Sequence, residues 1–310
     1  MKVSVVVCCH TLERLDDLRD AFDSLLGQTY DDIEVVFVSD GNDELYRRID
    51  EDYGDIDDFV TVVNDENIGL SASRNRGIEA SSGDVVAFMD DDAVADESWV
   101  DVLVKTYEEH DAVAVGGRMT PIWVDGEPSH LPEEFYWLIG VTHRGFAGGR
   151  DEVQEVRNTF GSNISFRRYV LGELAGFDTS IGREGDAHLQ AEEPELCARM
   201  MREYGRGVVY NPDAKVGHKV FEYRTRTRWL LNRAFWQGYS KRAMEKLVPD
   251  ADIGEEGAYL SMLVFSATPR LLHRLVTRPS FSVPKKIVML YALTAAVGFG
   301  YLYAVATYRR

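Results

Sequence analysis

A chain of 310 residues can bury a sizeable α/β core, and its 52 Asp and Glu against 34 Lys and Arg give a formal charge of −18. That acidic excess excludes nucleic acid as a partner, because phosphate backbones need a basic footprint. Charge is also unevenly placed: residues 1–256 hold 27 basic and 52 acidic side chains, and from Gly257 onward there is no acid. Only eight of the basic residues are Lys, a balance that suits a protein kept hydrated in concentrated salt, such as a halophilic cytoplasm, although an ordinary acidic protein has it too.

The N-terminal part alternates strand and helix signals. Val3 to Cys9 reads as a buried strand, too short for a signal-peptide core and followed by the charged run Glu13 to Asp17. Leu15, Leu18, Phe22, Leu25 and Leu26 recur at helical spacing, Ile33 to Val38 forms a second strand ending in Ser39-Asp40-Gly41, and Val60 to Val63 a third. Asn67 to Gly77 then supplies serines that cap a helix running to Ala80. Cys8, Cys9 and Cys197 lack zinc-ligand spacing and read as reduced, partly buried thiols. Strand–helix repetition of this kind predicts a mostly parallel sheet flanked by helices, with ligands at the carboxyl ends of its strands. No Gly-x-Gly-x-x-Gly follows the first strand and no P-loop occurs, which counts against a dinucleotide dehydrogenase or a nucleotide triphosphatase.

The next strand, Val85 to Met89, ends in Asp90-Asp91-Asp92. Three successive carboxylates at a strand end repel one another unless water or a cation neutralises them, and a hard divalent ion prefers oxygen ligands. In so acidic a chain, a solvated turn is the competing reading. A helix follows from about Asp96, with Trp99, Val102, Leu103 and Tyr107 on one face, and from Met119 the pattern loosens around Pro121, Gly126, Pro128 and Pro132. Order returns at Asn158 to Asn163 and in a helix starting near Arg168. Ala191 to Tyr204 reads as a helix carrying Glu192, Glu193, Glu195 and Arg199, and Thr225 to Leu247 as another.

At the far end, Ile287 to Tyr308 is a 22-residue stretch without formal charge, bracketed by Lys285-Lys286 and Arg309-Arg310. That length crosses a bilayer as a helix. The basic residues before it (Arg270, Arg274, Arg278, Lys285, Lys286) outnumber the two after it, which predicts a single-pass protein with its large domain in the cytoplasm. Residues 251–286 read as a basic amphipathic segment near the membrane, interrupted at Pro269.

Taken together, Val5 to Thr11, Val38-Ser39-Asp40-Gly41, Asn67-Ile68-Gly69 through Arg74-Asn75, Asp90-Asp91-Asp92 and Glu192 to Arg199 stand in the order that resembles the family 2 glycosyltransferases of the GT-A fold. The resemblance covers roughly residues 1–245 and divides them into a nucleotide-sugar-binding half, 1–118, and an acceptor-binding half, 119–250. It implies that Thr11, Glu13 and Asp40 line a base and ribose pocket, and that Gly69, Arg74 and Asn75 meet the base or diphosphate. Asp90 and Asp92 would hold the sugar and a Mn²⁺ or Mg²⁺, with His218 in Lys215-Val216-Gly217-His218 as a further ligand. Glu193 stands at the position of the base that activates the acceptor in an inverting displacement, with Glu192 as the alternative, and Trp137, Asn163 and Trp236 would contact sugar or acceptor. The architecture is similar to archaeal enzymes that build the dolichol-phosphate-linked glycan for N-glycosylation of surface proteins, which implies a lipid-linked acceptor and a UDP-linked donor, with a hexuronic acid as the sugar. Two other readings stay open: a polyprenyl-phosphate sugar synthase, and a non-catalytic nucleotide-sugar-binding subunit.

Overall fold

The computed structural model describes residues 1–149, 151–180, 192–247 and 254–308. It has two compact units: one gathers the described residues of 1–120, 151–187 and 191–219, the other those of 121–150 and 220–310. The expected division at residue 250 falls among residues outside the described set.

The first unit starts with β1 (Val3–Cys9), α1 (Leu15–Leu26), β2 (Ile33–Asp40), α2 (Asp43–Tyr53), β3 (Phe59–Asn64), α3 (Leu70–Ala80), β4 (Val85–Asp90), β5 (Ala93–Ala95) and α4 (Trp99–His110). It continues through β6 (Ala114–Trp123), β7 (Gln154–Val156), β8 (Ile164–Arg167), α5 (Arg168–Glu173), α6 (Glu192–Tyr204) and β9 (Val208–Val220). The strands form one sheet in the order β3-β2-β1-β4-β8-β6-β9-β5, with β7 beside β9. β3, β2, β1 and β4 are mutually parallel, as strand–helix alternation predicts. Beyond β4 the sheet turns antiparallel, with β8 paired to both β4 and β6, and β9 to β5 and β7. Residues 164–167 thus enter the middle of the sheet although they lie far along the chain from β4.

Burial explains the sequence pattern. β1 and β4 are covered on both faces and therefore read as continuous apolar runs. α1 turns Leu18, Ala21, Phe22 and Leu25 inward, and the Phe22 ring meets Phe37, Tyr53 and Phe59 edge-on at 5.1–5.6 Å. Each such fully buried side chain stabilises the fold by roughly 1.5–3 kcal/mol. On the other face of the sheet, Val6, Phe88, Phe166 and Phe177 pack with Leu196, Cys197 and Met200 of α6. The three cysteines are free thiols, and burial pushes the Cys8 thiol up to about 12.

The second unit contains a 3₁₀ helix (Glu133–Ile139), α7 (Glu222–Thr225), α8 (Thr227–Leu247), α9 (Gly254–Met262), α10 (Thr268–Thr277) and α11 (Ser282–Thr307). Leu131, Phe135, Leu138, Leu230, Leu263, Leu271, Leu290 and Leu293 form its core. α8 and α11 approach backbone to backbone because Gly238 and Gly300 carry no side chain; a Cβ on either would overlap a carbonyl of the facing helix. α11 is the one helix among the described residues long and apolar enough to cross a membrane, and it starts a turn before the charge-free stretch, with Lys285 and Lys286 inside it.

Pro269 does not interrupt the helical path. Residues Leu263–Ala267 form a π turn between α9 and α10. The Thr268 N–H bonds Leu263 O, five residues back, and the proline follows at the first turn of α10. A proline clashes with the carbonyl four residues back and lacks an N–H; the wider turn relieves the first, and the start of a helix tolerates the second.

Candidate active site

The carboxyl end of β4, together with α3, α6 and β9, brings five of the expected residues together: Asp90, Asp92, Arg74, Glu193 and His218. β4 delivers Asp90, two residues of turn lead to Ala93, and β5 pairs antiparallel with β9 so that Ala93 lies opposite His218. The backbone bond from Lys219 N to Asp92 O, 2.8 Å, locks that register. As a result His218 Nε2 lies 3.2 Å from Asp92 Oδ1, and one donor atom each of Asp90, Asp92 and His218 falls within 4.8 Å of the others. Asp92 and His218 are buried, whereas the Asp90 side chain keeps 38% of its exposure. Desolvation raises the Asp90 carboxyl above its ordinary range despite the opposing pull of Arg74, and Asp92 adds to the rise. Burial, reinforced by Asp92, lifts Asp91 to about 6. Two crowded carboxylates and an imidazole suit a hard or borderline divalent cation.

Arg74 joins this cluster to α6. Only 3% exposed, its guanidinium donates from Nη1 to Glu193 Oε1 at 2.5 Å and from Nη2 to Asp90 Oδ1 at 3.2 Å and Gly161 O at 3.3 Å. Phe88 and Phe177 lie under the cation, with ring centroids 5.7 and 5.4 Å away. Burial opposes the Arg74 charge, but Glu193 and Asp90 outweigh it and keep the group protonated. Glu193, and not Glu192, makes this pair: neighbouring helix residues point about 100° apart, and Glu192 is turned into the protein.

The remaining expected donor residues hold the scaffold. Asp40 is buried, with Oδ1 accepting from Asn64 Nδ2 at 3.0 Å and Ile68 N at 2.9 Å, and Oδ2 from Gly69 N at 3.0 Å. It therefore fixes the turn into α3, which Gly69 enters at φ +86°. Asn75 binds the Phe177 backbone with both ends of its carboxamide, each at 2.8 Å. Thr11 caps the short turn Leu12–Arg14 through Glu13 N, and Glu13 is exposed. Asn163 is fully buried, accepting from Trp99 Nε1 at 2.9 Å and donating to Arg118 O and Ala214 O, so its carboxamide is committed to the core. Trp137 and Trp236 belong to the second unit, where Trp137 donates to the Tyr259 hydroxyl and Trp236 meets Phe235 and Tyr239 edge-on.

Three contributors escaped the sequence reading. Gly161 leaves the space that Glu193 occupies, since a Cβ there would overlap the carboxylate. Ser162 Oγ accepts the Asp90 N–H at 2.9 Å, and Arg14 stands 3.6 Å from Asp92 Oδ2. The Gly-Ser-Asn run before β8 is visible as a motif, but Ser162 meets Asp90, 72 residues earlier, and Gly161 meets Glu193 on α6, where no spacing rule reaches.

A family model described as glycosyl transferase family 2 matches residues 4–175. The glucosyl-dolichyl phosphate glucuronosyltransferase of Haloferax volcanii is 49% identical over 308 residues, covering 99% of this chain and 97% of the relative. Among solved structures, the mannosyltransferase PcManGT from Pyrobaculum calidifontis, in complex with GDP-Man and Mn²⁺, superposes with a TM-score of 0.58 at 18% identity, covering 97% of this chain and 87% of the other. S. aureus TarS 1-349 in complex with UDP gives 0.55 at 16% identity, covering 100% and 91%. Identities this low establish a shared fold.

Proposed function

The chain belongs to glycosyltransferase family 2 and is a glycosyltransferase of the GT-A fold, and from that premise we propose that it moves a hexuronic acid, glucuronic acid by its likeness to the Haloferax enzyme, from a UDP-linked donor to a hydroxyl of a sugar carried on dolichyl phosphate. The observation that carries this reading is 49% identity sustained over nearly the whole length of both chains. A hydroxyl acceptor rather than a bare phosphate follows from that relative's name, and it gives Glu193 a purpose.

In the proposed displacement the acceptor oxygen bonds to the anomeric carbon as the bond from that carbon to the nucleoside diphosphate breaks, inverting the centre. The hydroxyl proton passes to the Glu193 carboxylate, because an alcohol is a poor nucleophile until a base takes its proton. Arg74 holds Glu193 by Oε1 and Asp90 by Oδ1, so one buried cation fixes the distance between base and donor acid. Asp90, Asp92 and His218 would hold the divalent ion, which when bound neutralises charge on the departing diphosphate. Thr11, Glu13, Asp40, Gly69 and Asn75 shape the nucleotide side, Asp40 and Asn75 by fixing the backbone around it.

α11 serves as a single span with the first unit on the cytoplasmic side, and the acidic, Lys-poor body matches a halophilic cytoplasm. The product would feed N-glycosylation of surface-layer proteins. The deciding experiment incubates the full chain in detergent with UDP-glucuronic acid, Mn²⁺ and glucosyl-dolichyl phosphate. A gain of one hexuronic acid in lipid mass is the expected result; nucleotide binding with no transfer to any lipid-linked sugar would reduce the protein to a binding subunit. Transfer to dolichyl phosphate itself, unaffected by Glu193→Gln, would make it a synthase.

A further inference from the structure

α9, the π turn and α10 form one continuous helical path with two apolar rows. Leu263, Ala267 and Leu271 are buried in the core of the second unit. A parallel row, Leu260, Val264, Leu272 and Val276, joined by Phe265 and interrupted only by the half-buried Thr268, faces outward: Phe265 is 78% and Val276 82% exposed, and Phe281 just beyond is 94% exposed. On a regular α-helix a four-residue row precesses by about 40° per step; the wider π turn at Leu263–Ala267 takes up part of that drift between α9 and α10. The helix is therefore apolar over an arc wider than the fold covers. Bare apolar side chains in such a contiguous stripe mark a contact with something apolar.

Charge identifies the occupant. Between Gly257 and Pro269 there is no charged residue, and Arg270 is neutralised by Glu134, which is buried and accepts from Arg270 Nη2 at 2.5 Å. His273, Arg274 and Arg278 are exposed at the other edge of α10, and Lys285 and Lys286 follow in the first turn of α11. Past Glu255 and Glu256 at the start of α9 there is no acid in the sequence, Lys286 is paired with Glu127 at 3.6 Å, and the exposed Arg274, Arg278 and Lys285 at the C-terminal part of the stripe complement an anionic bilayer surface. Position agrees: the Thr268 hydroxyl lies 3.0 Å from the Tyr291 hydroxyl. Tyr291 is five residues past Lys286, roughly 8 Å along a helix rising 1.5 Å per residue, which is the depth an interfacial helix reaches.

We infer that the outward row of Leu260, Val264, Phe265, Leu272 and Val276 is buried in the headgroup–acyl boundary, a second bilayer contact beside α11. The inference rests on the reading of α11 as a span. Arg274 and Arg278 meet lipid phosphates, while the apolar row carries the insertion and so persists in molar salt, where the Debye length falls to about 3 Å.

The test labels single added cysteines with an environment-sensitive fluorophore in the full chain, reconstituted in vesicles of phosphatidylcholine and phosphatidylglycerol. Native thiols stay in place, with the unsubstituted chain as labelling background. F265C, L272C and V276C probe the row, H273C the polar edge and F299C, on the exposed side of α11, the span. The expected result is blue-shifted emission at 265, 272 and 276, quenched several-fold more strongly by spin-labelled lipid than at 273, unchanged in molar salt. Water-like emission at 265 and 276 overturns the inference, and so does a blue shift that lipid does not quench, which would identify a second copy of the chain as the occupant. Strong quenching at 299 with none at 265 and 276 would reject the interfacial row alone; absence of quenching at 299 would reject the span.

Discussion

Unit one and the α9–α11 region of unit two solve opposite problems with the same ingredients. In the first, charges are drawn into the protein and made to neutralise one another: Arg74 lies between Glu193 and Asp90, and His218 beside Asp92. In the second, apolar side chains are left outside while the partly buried cations Arg270 and Lys286 are paired with Glu134 and Glu127. Unusual placement, more than residue type, marks function here. Of the 52 acids, Asp90, Asp92 and Glu193 are the ones gathered around Arg74 and His218 at strand and helix ends.

That contrast breaks most sharply at Arg74. Arg74→Ala leaves two carboxylates facing each other without their cation, which should cost about 3–5 kcal/mol of stability and at least ~10³-fold in kcat; thermal unfolding and initial rates measure both, and a variant that loses neither would refute the central role of the pair. Glu193→Gln keeps the shape of the side chain but removes the base. It should lower kcat by about 10²–10⁴-fold at unchanged donor KM, and a rate within a few-fold of the parent would remove Glu193 from the chemistry.

The second unit carries its own pH signal. Burial lowers the His143 imidazole to about 4, its ring packed edge-on against Tyr259 and Phe146. Because the unfolded imidazole titrates near 6.5, the unfolded chain binds the proton more readily between these values. This contribution to stability is therefore full above pH 6.5, falls as pH drops toward 4, and the loss levels off below that at on the order of 3 kcal/mol. Denaturant unfolding of His143→Phe beside the parent should show that component vanish; an identical pH profile would contradict it. The smallest effect is expected from Gly161→Ala, which pushes Glu193 off its position without altering any charge. A displacement near 1 Å costs up to about 10²-fold in kcat, and adding Gly161→Ala to the Glu193→Gln variant should cost little more than Glu193→Gln alone, since both changes act on one group.

What was legible follows from range. Val85 to Asp92 announced both a buried strand and a cluster at its end, because period and composition act over a few residues. The pattern of Asn67 to Gly77 correctly indicated a helix running to Ala80, but its N-cap is Gly69 with no side-chain cap, so the serines do not cap it, and the groups each side chain meets were not legible. Asp40 and Asn75 look like ligand-binding residues in sequence, and what the sequence does not reveal is that their side chains also fix the backbone at Gly69 and Phe177. Pro269 looked like a break because a single residue cannot reveal a π turn that depends on Leu263 five residues before Thr268.

By itself the sequence determined the parallel half of the sheet, the apolar terminal helix, the acid-free end and the order of motifs that identifies the family, since each is written in local pattern. Only the tertiary structure decided that β8 enters between β4 and β6, that His218 lies beside Asp92, that Glu193 rather than Glu192 meets Arg74, and that half of the apolar arc of α10 is left bare. Those outcomes depend on strand register, helix phase and the space left by Gly161. They bring together residues separated by up to about 130 positions, across which no period or spacing persists.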